Sequence, residues 1–294
     1  MKTYQVHQLL KAGQEQLDKE GIPTVEARLL LEYAMKTDFT TLLSKYNEKV
    51  KEEVVSSYMT FVEQRMKGIP LQYITHEQYF MGNKFYVNES VLIPRPETEI
   101  LVELCLSKIE EMIRRGKKTL RILDMCTGSG CILISLVKEV SSKFPEIDIE
   151  WLGVDIQDDA LLVSKKNEEL LLDKPVIQWV TSDLFSHIES RMEYDLIVSN
   201  PPYIPRKDLE GLMNEVKDYE PIIALDGGDD GLIFYRQIIQ DSFARLKNGG
   251  GLFFEIGHGQ MQDIKKIMES RGFSDIQEVN DMAGLERIIS GTKN

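Results

Sequence analysis

The stretch TLRILDMCTGSGC, residues 119–131, places an apolar strand directly before a glycine-rich turn and the start of a helix. Gly128 and Gly130 let the backbone come close to a ligand, and the amide groups at the start of the helix would face it. A nicotinamide fingerprint needs a further glycine where Leu133 stands, and the Gly-Lys-Ser/Thr ending of a Walker loop is missing. The turn therefore indicates either a ligand site of another kind or a purely structural connection.

Outward from this stretch, apolar strands alternate with helical patterns of ten or more residues. Strands are predicted at four further positions: 149–155, 176–183, 194–200 and 250–257. Helices are predicted between them, from about Cys131, from about Asp158 and over 230–246. This alternation favours an α/β fold, a doubly wound parallel sheet with helices on both faces. The remaining sequence predicts a helix over 260–272 and two short strands, 274–281 and 285–291.

The first third of the chain has a different pattern. From Thr3 to about Lys67, apolar residues recur at helical spacing, which predicts about four helices with Thr24 and Asp38 as N-caps. Residues 1–90 carry 11 Lys/Arg against 12 Asp/Glu, so nearly all of the net charge of -13 falls in the rest of the chain. Two units with different tasks are therefore expected.

A hairpin and two prolines separate these units. QYFMGNKFYV, residues 78–87, has short aromatic and β-branched runs on either side of Gly82 and Asn83, which is typical of a hairpin. VLIPRPETE, residues 91–99, then excludes a continuous helix or strand before a helix that starts near Glu97. The expected domains are a helical domain over 1–75, a hairpin and linker over 76–96, and the sheet domain over 97–294.

Polar side chains follow the strands at their carboxyl ends, where doubly wound sheets bind ligands. Asp155 ends the second strand, where a carboxylate would accept hydrogen bonds from a ribose diol, but it could equally cap the next helix. Asp183 ends the third strand, where it could accept from an adenine amino group or be a loop carboxylate. The glycine-rich turn lacks a Lys or Arg that would neutralise phosphates. Together these features indicate a pocket for a nucleoside without a polyphosphate.

The fourth strand ends in Asn-Pro-Pro-Tyr, residues 200–203. Two successive prolines fix φ and leave carbonyl acceptors in a stiff loop. Asn200 adds a side-chain acceptor and Tyr203 an aromatic face, which suits a planar group bearing NH2, such as an amide or the amine of a base. Accepting both N–H bonds would aim such a weakly nucleophilic nitrogen at an electrophile. A plain turn is the alternative.

Composition argues against membrane-spanning, secreted and nucleic-acid-binding proteins. The apolar stretches are too short for a membrane span, and the polar N-terminus lacks the apolar core of a signal peptide, so a cytoplasmic location is expected. Three cysteines without a C-x-x-C pair indicate buried thiols, with neither disulfides nor a metal site. The net charge of -13 argues against binding of nucleic acid through phosphate neutralisation.

Several further side chains are weaker candidates. Asp226, Gly228, Asp230 and Gly231 mimic part of a calcium loop, but the third ligand position is Gly228 and the twelfth is Gln237 instead of Glu, so an acidic surface loop is expected. His258 follows a strand and is better interpreted as a loop histidine than as a pocket residue. Arg95 and Glu97 could approach a cofactor or pair with each other, and the sequence does not decide between these.

Taken together, the motifs resemble those of S-adenosylmethionine-dependent methyltransferases that act on amino groups. Four further stretches resemble the HemK/PrmC family of peptide chain release factor N5-glutamine methyltransferases: PLQYI at 70–74, FMGNKFYV at 80–87, VLIPRPETE at 91–99 and EPIIALDGGDDGL at 220–232. The likeness covers nearly the whole chain. It implies a Rossmann-like class I methyltransferase sheet, mostly parallel with an antiparallel strand near the C-terminus. It also implies a small helical N-terminal domain for substrate recognition, joined by a β-hairpin.

The resemblance implies methyl transfer from S-adenosylmethionine to the side-chain amide nitrogen of the glutamine in the Gly-Gly-Gln motif of release factors 1 and 2, leaving S-adenosylhomocysteine. These release factors are the implied partners, without direct contact to nucleic acid or membrane. Asn200 and the Pro201 carbonyl would accept the amide hydrogens, and Tyr203 would stack beside the amide plane. The implied catalytic residues are Asn200, Pro201, Pro202 and Tyr203. The implied cofactor residues, without a metal, are Cys126, Thr127, Gly128, Ser129, Gly130, Asp155, Asp183, Leu184 and Asn200.

Two positions depart from the family pattern. Cys126 and His76 stand where the family more often has glycine. A positive φ would strain a cysteine, so we expect a negative φ at Cys126 and retain it in the cofactor site. His76 concerns the linker and not the chemistry.

Three other functions fit part of the sequence. An N6-adenine methyltransferase of DNA or RNA would suit Asn-Pro-Pro-Tyr, although the chain shows no basic stripe with interleaved aromatic residues. A glutamine methyltransferase of a ribosomal protein would suit it equally well. A non-catalytic adaptor with the same fold would have no use for paired amide acceptors.

Overall fold

The computed structural model describes residues 4–190 and 192–294, and contacts between residues divide the chain into two compact units. The first unit contains the chain up to Glu77 together with Met213–Tyr219. The second contains Gln78–Leu212 and Glu220–Asn294. No sequence pattern indicates that 213–219 belongs with the first unit. The expected domain boundaries at 75/76 and 96/97 stay a prediction.

The helices and strands that the sequence predicts occur in the predicted order, and two short helices, Leu71–Thr75 and Asn214–Tyr219, were not predicted. The helices are α1 (Val6–Lys19), α2 (Val25–Met35), α3 (Phe39–Ser44), α4 (Glu52–Met66), α5 (Leu71–Thr75), α6 (Thr98–Arg114), α7 (Cys131–Lys143), α8 (Asp158–Leu171), α9 (Asn214–Tyr219), α10 (Ile233–Arg245) and α11 (Met261–Arg271). The strands are β1 (Glu77–Phe80), β2 (Asn83–Tyr86), β3 (Thr119–Met125), β4 (Asp148–Asp155), β5 (Ile177–Thr181), β6 (Tyr194–Ser199), β7 (Leu246–Glu255), β8 (Phe273–Asn280) and β9 (Glu286–Lys293). Among the described residues, no helix is both long and apolar enough to span a bilayer.

The first unit packs its helices around an apolar core, as the helical spacing predicts. Its fully buried side chains include Leu9, Leu17, Leu30, Leu31 and Tyr58. Asp38 caps α3 by accepting a hydrogen bond from Thr41 N at 2.7 Å, whereas Thr24 stands at the N-cap of α2 without a side-chain hydrogen bond. The helical pattern was expected from Thr3, which lies outside the described residues.

A buried arginine links the inserted segment to the helices of the first unit. Arg65, on α4, is 4% exposed and donates to Glu26 of α2 at 2.5 Å and to Glu215 of α9 at 2.7 Å. The Tyr219 hydroxyl donates to the Lys67 carbonyl at 2.7 Å. A buried guanidinium requires such carboxylate partners, which explains why α9 groups with residues so distant in sequence.

The second unit is built on a seven-stranded sheet with the order β5-β4-β3-β6-β7-β9-β8. Strands β3 to β7 pair in parallel, and β9 runs antiparallel to both β7 and β8. The chain leaves β3 for β4 and β5 on one side and then returns to β6 on the other, so the strand order reverses beside β3. The predicted Rossmann-like fold is confirmed. A separate sheet pairs β1 with β2, the predicted hairpin.

Two apolar clusters cover the two faces of this sheet. Leu120 and Ile122 of β3 join the cluster that contains α6 and α7, whereas Leu123 and Met125 join the cluster that contains α10 and α11. This separation follows from the two-residue repeat of a strand. Strand β6 is buried along its whole length, as expected for a central parallel strand. Because β3 to β6 pair in parallel, their carboxyl ends lie along one edge of the sheet.

Candidate active site

A cavity of ≈ 240 Å³ lies at the carboxyl ends of the parallel strands, where the strand order reverses. This is where doubly wound sheets bind ligands. Most residues that the sequence proposes for the site line it: Cys126, Thr127, Gly128, Ser129, Asp155, Asp183, Leu184, Asn200 and Pro202. Gly130, Pro201 and Tyr203 are not among the lining residues. The structure therefore brings the strand ends together at the cavity, although three of the proposed residues are not among those that line it.

Hydrogen bonds to neighbouring elements hold the glycine-rich turn. Ser164 of α8 donates to the Gly128 carbonyl at 2.7 Å, and Asn167 donates to the Ser129 carbonyl at 2.9 Å. Gly130 has φ 76 at the N-cap of α7, and a Cβ there would meet Trp179 and Ile134 at 3.0 Å. Gly130 therefore allows the left-handed backbone of the turn and its close packing against Trp179 of β5.

The expectation of a negative φ at Cys126 is wrong. Its φ is 61, in the left-handed region. The left-handed residue turns the chain out of β3, so that Thr127 N donates to the Val154 carbonyl of β4 at 2.9 Å. His76 likewise has φ 54, as the C-cap of α5. Both positions where the family more often has glycine thus have a backbone conformation that favours glycine.

Substitutions at Cys126 test whether its left-handed backbone conformation lowers the stability of the folded chain. Cys126→Gly is expected to be more stable than Cys126→Ala by about 1 kcal/mol, because alanine keeps the Cβ that disfavours a left-handed backbone. At Cys105, buried in the middle of α6, the order should reverse, because glycine weakens a helix. Urea unfolding of the four variants gives both differences. The same order at the two sites would contradict a strained Cys126.

Asp155 does not cap α8, so that alternative is wrong; the N-cap is Gln157. The two oxygens of Asp155 instead accept hydrogen bonds from Gly128 N at 2.9 Å and from Gln157 N at 3.0 Å. Burial raises the pKa of Asp155, and these backbone donors oppose the rise. The carboxylate is thus held between β3 and β4 at the cavity wall, with lone pairs remaining for a diol.

Asp124 is a buried carboxyl beneath the turn that the sequence analysis did not select. It accepts a hydrogen bond from the Thr127 hydroxyl at 2.5 Å. Burial, with a further contribution from the charge of Asp155, raises the pKa of Asp124 to about 7. The sequence does carry a signal for Asp124: it is an acid within the apolar strand TLRILDM, and acids are rarely buried in such a strand without a partner or a function.

Asn200 begins the proline loop at the end of β6 and faces a second buried carboxyl. Its Nδ2 lies 3.5 Å from Thr98 Oγ1 at the start of α6, and the Thr98 hydroxyl donates to Glu255 Oε2 at 2.6 Å. Burial raises the pKa of Glu255 to about 7, and hydrogen bonding from Thr98 opposes the rise. Neither Thr98 nor Glu255 was proposed from sequence, because each lies within an ordinary helix or strand pattern.

The backbone after the prolines is held from three sides. Gln260 donates to the Tyr203 carbonyl at 2.9 Å, while its own carbonyl accepts from Gly257 N at 2.9 Å. Ile204 N donates to the Leu225 carbonyl at 3.0 Å. A Cβ on Gly227 would lie 2.7 Å from the carbonyl carbon of Tyr203. The loop is therefore fixed by close backbone packing as well as by its prolines.

Tyr203 points into the second apolar cluster, against which its half-buried ring packs. Burial raises the pKa of the Tyr203 phenol to about 12, so it stays protonated at neutral pH. Stacking of this ring beside a substrate amide stays a prediction.

Part of the cavity lining comes from two proline-containing stretches, 91–99 and 220–232. Pro94, Arg95 and Thr98 line it from one stretch, and Ile223 and Ala224 from the other. An ion pair joins the two, because Arg95 Nη2 lies 2.5 Å from Glu220 Oε1. Arg95 thus lines the cavity and pairs with Glu220, and an approach of Arg95 or Glu97 to a cofactor stays a prediction.

The weaker candidates lie elsewhere. His258 is exposed and is not among the residues lining the cavity. Asp226 accepts from Arg206 at 3.0 Å, and Asp230 pairs with Arg236 at 2.5 Å. These arginine partners balance the charges of Asp226 and Asp230, as expected for an acidic surface loop.

Two family descriptions match the chain. The PrmC N-terminal domain matches residues 8–75, and the methyltransferase small domain matches residues 98–216. Release factor glutamine methyltransferases are similar over almost the full length. The protein from Clostridium acetobutylicum is 40% identical, covering 90% of this chain and 89% of the relative. Those from Clostridium botulinum and Bacillus anthracis are 37% and 35% identical, each covering 97% of this chain and 98% of the relative.

Solved structures share the fold at low sequence identity. The hMettl16 catalytic domain in complex with MAT2A 3'UTR hairpin 6 is 19% identical with a TM-score of 0.55, covering 87% of this chain and 93% of that one. The Thermus thermophilus 16S rRNA N2 G1207 methyltransferase is 17% identical with a TM-score of 0.50, covering 74% of this chain and 50% of that one. At such identities the likeness concerns the methyltransferase fold alone.

Proposed function

The chain belongs to the family of release factor glutamine methyltransferases, and from this premise we propose that it methylates the glutamine amide of the Gly-Gly-Gln motif in release factors 1 and 2. The methyl donor would be S-adenosylmethionine, bound in the cavity at the ends of β3, β4 and β5. The observation that carries the proposal is Asn200, an amide acceptor at the wall of a nucleoside-sized cavity.

The cavity residues fit a sulfonium nucleoside. Asp155 can accept from a ribose diol, and Asp183 with Leu184 would flank the base. The glycine-rich turn brings the backbone close to the ligand without a cation that would neutralise phosphates. When bound, S-adenosylmethionine supplies an electrophilic methyl group.

The proline loop would position the substrate amide. Asn200 Oδ1 and the Pro201 carbonyl accept its two N–H bonds, which aims the nitrogen at the methyl group. An amide nitrogen is a poor nucleophile because its lone pair is delocalised, so orientation matters more than proton removal before transfer. The N–C bond would form as the S–CH3 bond breaks, leaving S-adenosylhomocysteine, and the methylated nitrogen would then lose its proton to water. Holding reactants in place can contribute up to about 7–11 kcal/mol. The closely packed loop backbone suits this task because it is ordered before the substrate arrives.

Transfer of label from S-adenosylmethionine tests the proposal. The panel is a release factor, its variant with Gln→Ala in the Gly-Gly-Gln motif, a ribosomal protein and DNA. Label is expected on the release factor and not on its variant. Label on DNA alone would indicate an adenine methyltransferase, and label on the ribosomal protein alone the other protein substrate. Either result would overturn the proposal.

Loss of the Asp155 carboxylate should weaken cofactor binding. Asp155→Ala is expected to raise the Kd of S-adenosylmethionine about 10- to 100-fold, because hydrogen bonds to a charged acceptor are worth about 1.5–3 kcal/mol. Calorimetry measures the Kd directly. Asp159→Ala, an exposed acid on α8 that is not among the cavity residues, is the matched control. Equal affinities in the two variants would remove Asp155 from the cofactor site.

A further inference from the structure

Three polar side chains connect the interior of the second unit to the cavity wall. Glu255 at the end of β7 is 1% exposed, and Thr98 at the start of α6 is 2% exposed. The Thr98 hydroxyl donates to Glu255 Oε2 at 2.6 Å, and Thr98 Oγ1 lies 3.5 Å from Asn200 Nδ2. Asn200 and Thr98 both line the cavity. We call these residues the Glu255–Thr98–Asn200 chain.

The direction of the hydrogen bonds along this chain follows from the carboxylate. An ionised carboxylate only accepts, so the single hydrogen of the Thr98 hydroxyl is committed to Glu255. Thr98 Oγ1 is then left as an acceptor toward Asn200. The NH2 group of Asn200 can satisfy it, whereas the carbonyl oxygen of Asn200 cannot. The amide of Asn200 must therefore turn its NH2 inward and its carbonyl oxygen toward the cavity.

We propose that Glu255 is a positioning residue, which acts mainly through Thr98, and by a weaker hydrogen bond of its own with Asn200, to hold the carbonyl oxygen of Asn200 toward the substrate amide. The inference rests on the proposed function, because it assumes that Asn200 accepts an N–H bond from the substrate. Glu255 need not touch the substrate. Its carboxylate decides which end of the Asn200 amide the substrate meets.

Protonation of Glu255 would remove its control over the orientation of the Asn200 amide. A carboxylic acid can donate to Thr98, which frees the Thr98 hydroxyl to donate to Asn200 Oδ1 and allows the amide to turn over. The pKa of Glu255 is raised by burial to about 7, and hydrogen bonding from Thr98, the positive charge of Arg287 and a weaker hydrogen bond from Asn200 oppose the rise. The other titratable or charged groups that interact with Glu255 are Glu97 before α6, Cys131 on α7, Tyr203 in the proline loop and Tyr235 on α10.

The buried carboxyl does not serve stability at neutral pH. Because the pKa of Glu255 in the folded chain is above its ordinary value, the stability linked to its proton is present in acid and lost as the pH rises through about 7. A neutral glutamine of the same shape avoids this loss. Glu255→Gln is therefore expected to fold and to be at least as stable as the wild type above neutral pH.

The test compares Glu255→Gln, Thr98→Val and the double variant with the wild type. Thr98→Val is expected to lower kcat about 10- to 100-fold with a release factor, with little change in the Kd of S-adenosylmethionine. Glu255→Gln should lose less, because a glutamine can meet Thr98 with either its oxygen or its NH2 group. The double variant should lose no more than the larger single loss, because both changes break the same chain. Thr98→Ser, which keeps the hydroxyl, should lose less than Thr98→Val.

The dependence of kcat on pH separates positioning from structural support. Wild-type kcat should fall as the pH drops below about 7, whereas the residual kcat of Glu255→Gln should stay level there. Thr98→Val should lose most of this dependence, because only the weaker hydrogen bond between Asn200 and Glu255 remains. Glu168→Gln is the control: this buried carboxyl accepts from Ile177 N at 2.9 Å and from Trp179 at 2.8 Å, and it is not among the cavity residues. Its pH profile should match that of the wild type.

Two results would overturn the inference. One is a wild-type kcat and pH profile in Glu255→Gln. The other is independent, multiplying losses in the double variant, which would make Glu255 a direct proton acceptor instead of a residue that acts through Thr98. Failure of the proposed function is distinct, because the wild type itself would then leave the release factor unlabelled.

Discussion

Asn200→Ala is expected to abolish nearly all methyl transfer while the affinity for S-adenosylmethionine stays within a few-fold of the wild type. Alanine removes the side-chain carbonyl that would orient the substrate amide and the NH2 group that meets Thr98. Removal of one positioned polar group that stabilises a transition state costs about 10²–10³ in kcat. The measurement is kcat with a release factor at saturating cofactor, together with the cofactor Kd from calorimetry.

Asn248→Ala is the matched control for this loss. Asn248 is an exposed amide on β7, the strand that carries Glu255 at its other end. This variant should keep wild-type kcat. A wild-type rate in Asn200→Ala would show that Asn200 does not orient the substrate amide. A large rise in the cofactor Kd with kcat unchanged would contradict it too, because Asn200 would then serve the cofactor and not the substrate.

Gly227→Ala is expected to lower kcat by about 100-fold although Gly227 is not among the cavity residues. A Cβ on Gly227 would lie 2.7 Å from the carbonyl carbon of Tyr203 and 2.8 Å from its Cα. Both neighbours are backbone atoms, so the loop that carries Asn200 and Pro201 must move. A shift of about 1 Å in a positioning group can cost about 10²-fold in rate. Steady-state kinetics with a release factor measures the change.

Gly211→Ala provides the comparison for Gly227→Ala. A Cβ on Gly211 would meet no heavy atom within 4 Å, and its backbone is not in the left-handed region. This variant should keep both its rate and its stability. Gly227→Ala should retain most of its cofactor affinity, since the glycine-rich turn is untouched, although overpacking can cost about 1–3 kcal/mol in stability. Normal kcat in Gly227→Ala would show that the position of the loop is not critical.

The sequence predicted the sheet and a set of strand-end residues most of which line the cavity, because the relevant signals are local. An apolar run followed by Gly128, Asp155, Asp183 or Asn200 marks a strand end, and parallel strands bring their carboxyl ends to one edge. The conformation of Cys126 was predicted wrongly for a related reason. Residue type favoured a negative φ, but pairing of Thr127 N with Val154 of the neighbouring strand imposes a positive one.

What the sequence by itself determined is the alternation of strands and helices, the edge where ligands bind and the residues that end each strand. Only the tertiary structure decided what surrounds those residues. Thr98 and Glu255 are 157 positions apart, yet they share a hydrogen bond of 2.6 Å beneath Asn200. Gly227 and Gln260 fix the backbone of Tyr203 in the same way. Periodicity reports which face of an element is apolar, whereas the direction of an amide depends on donors and acceptors that meet only when distant elements pack together.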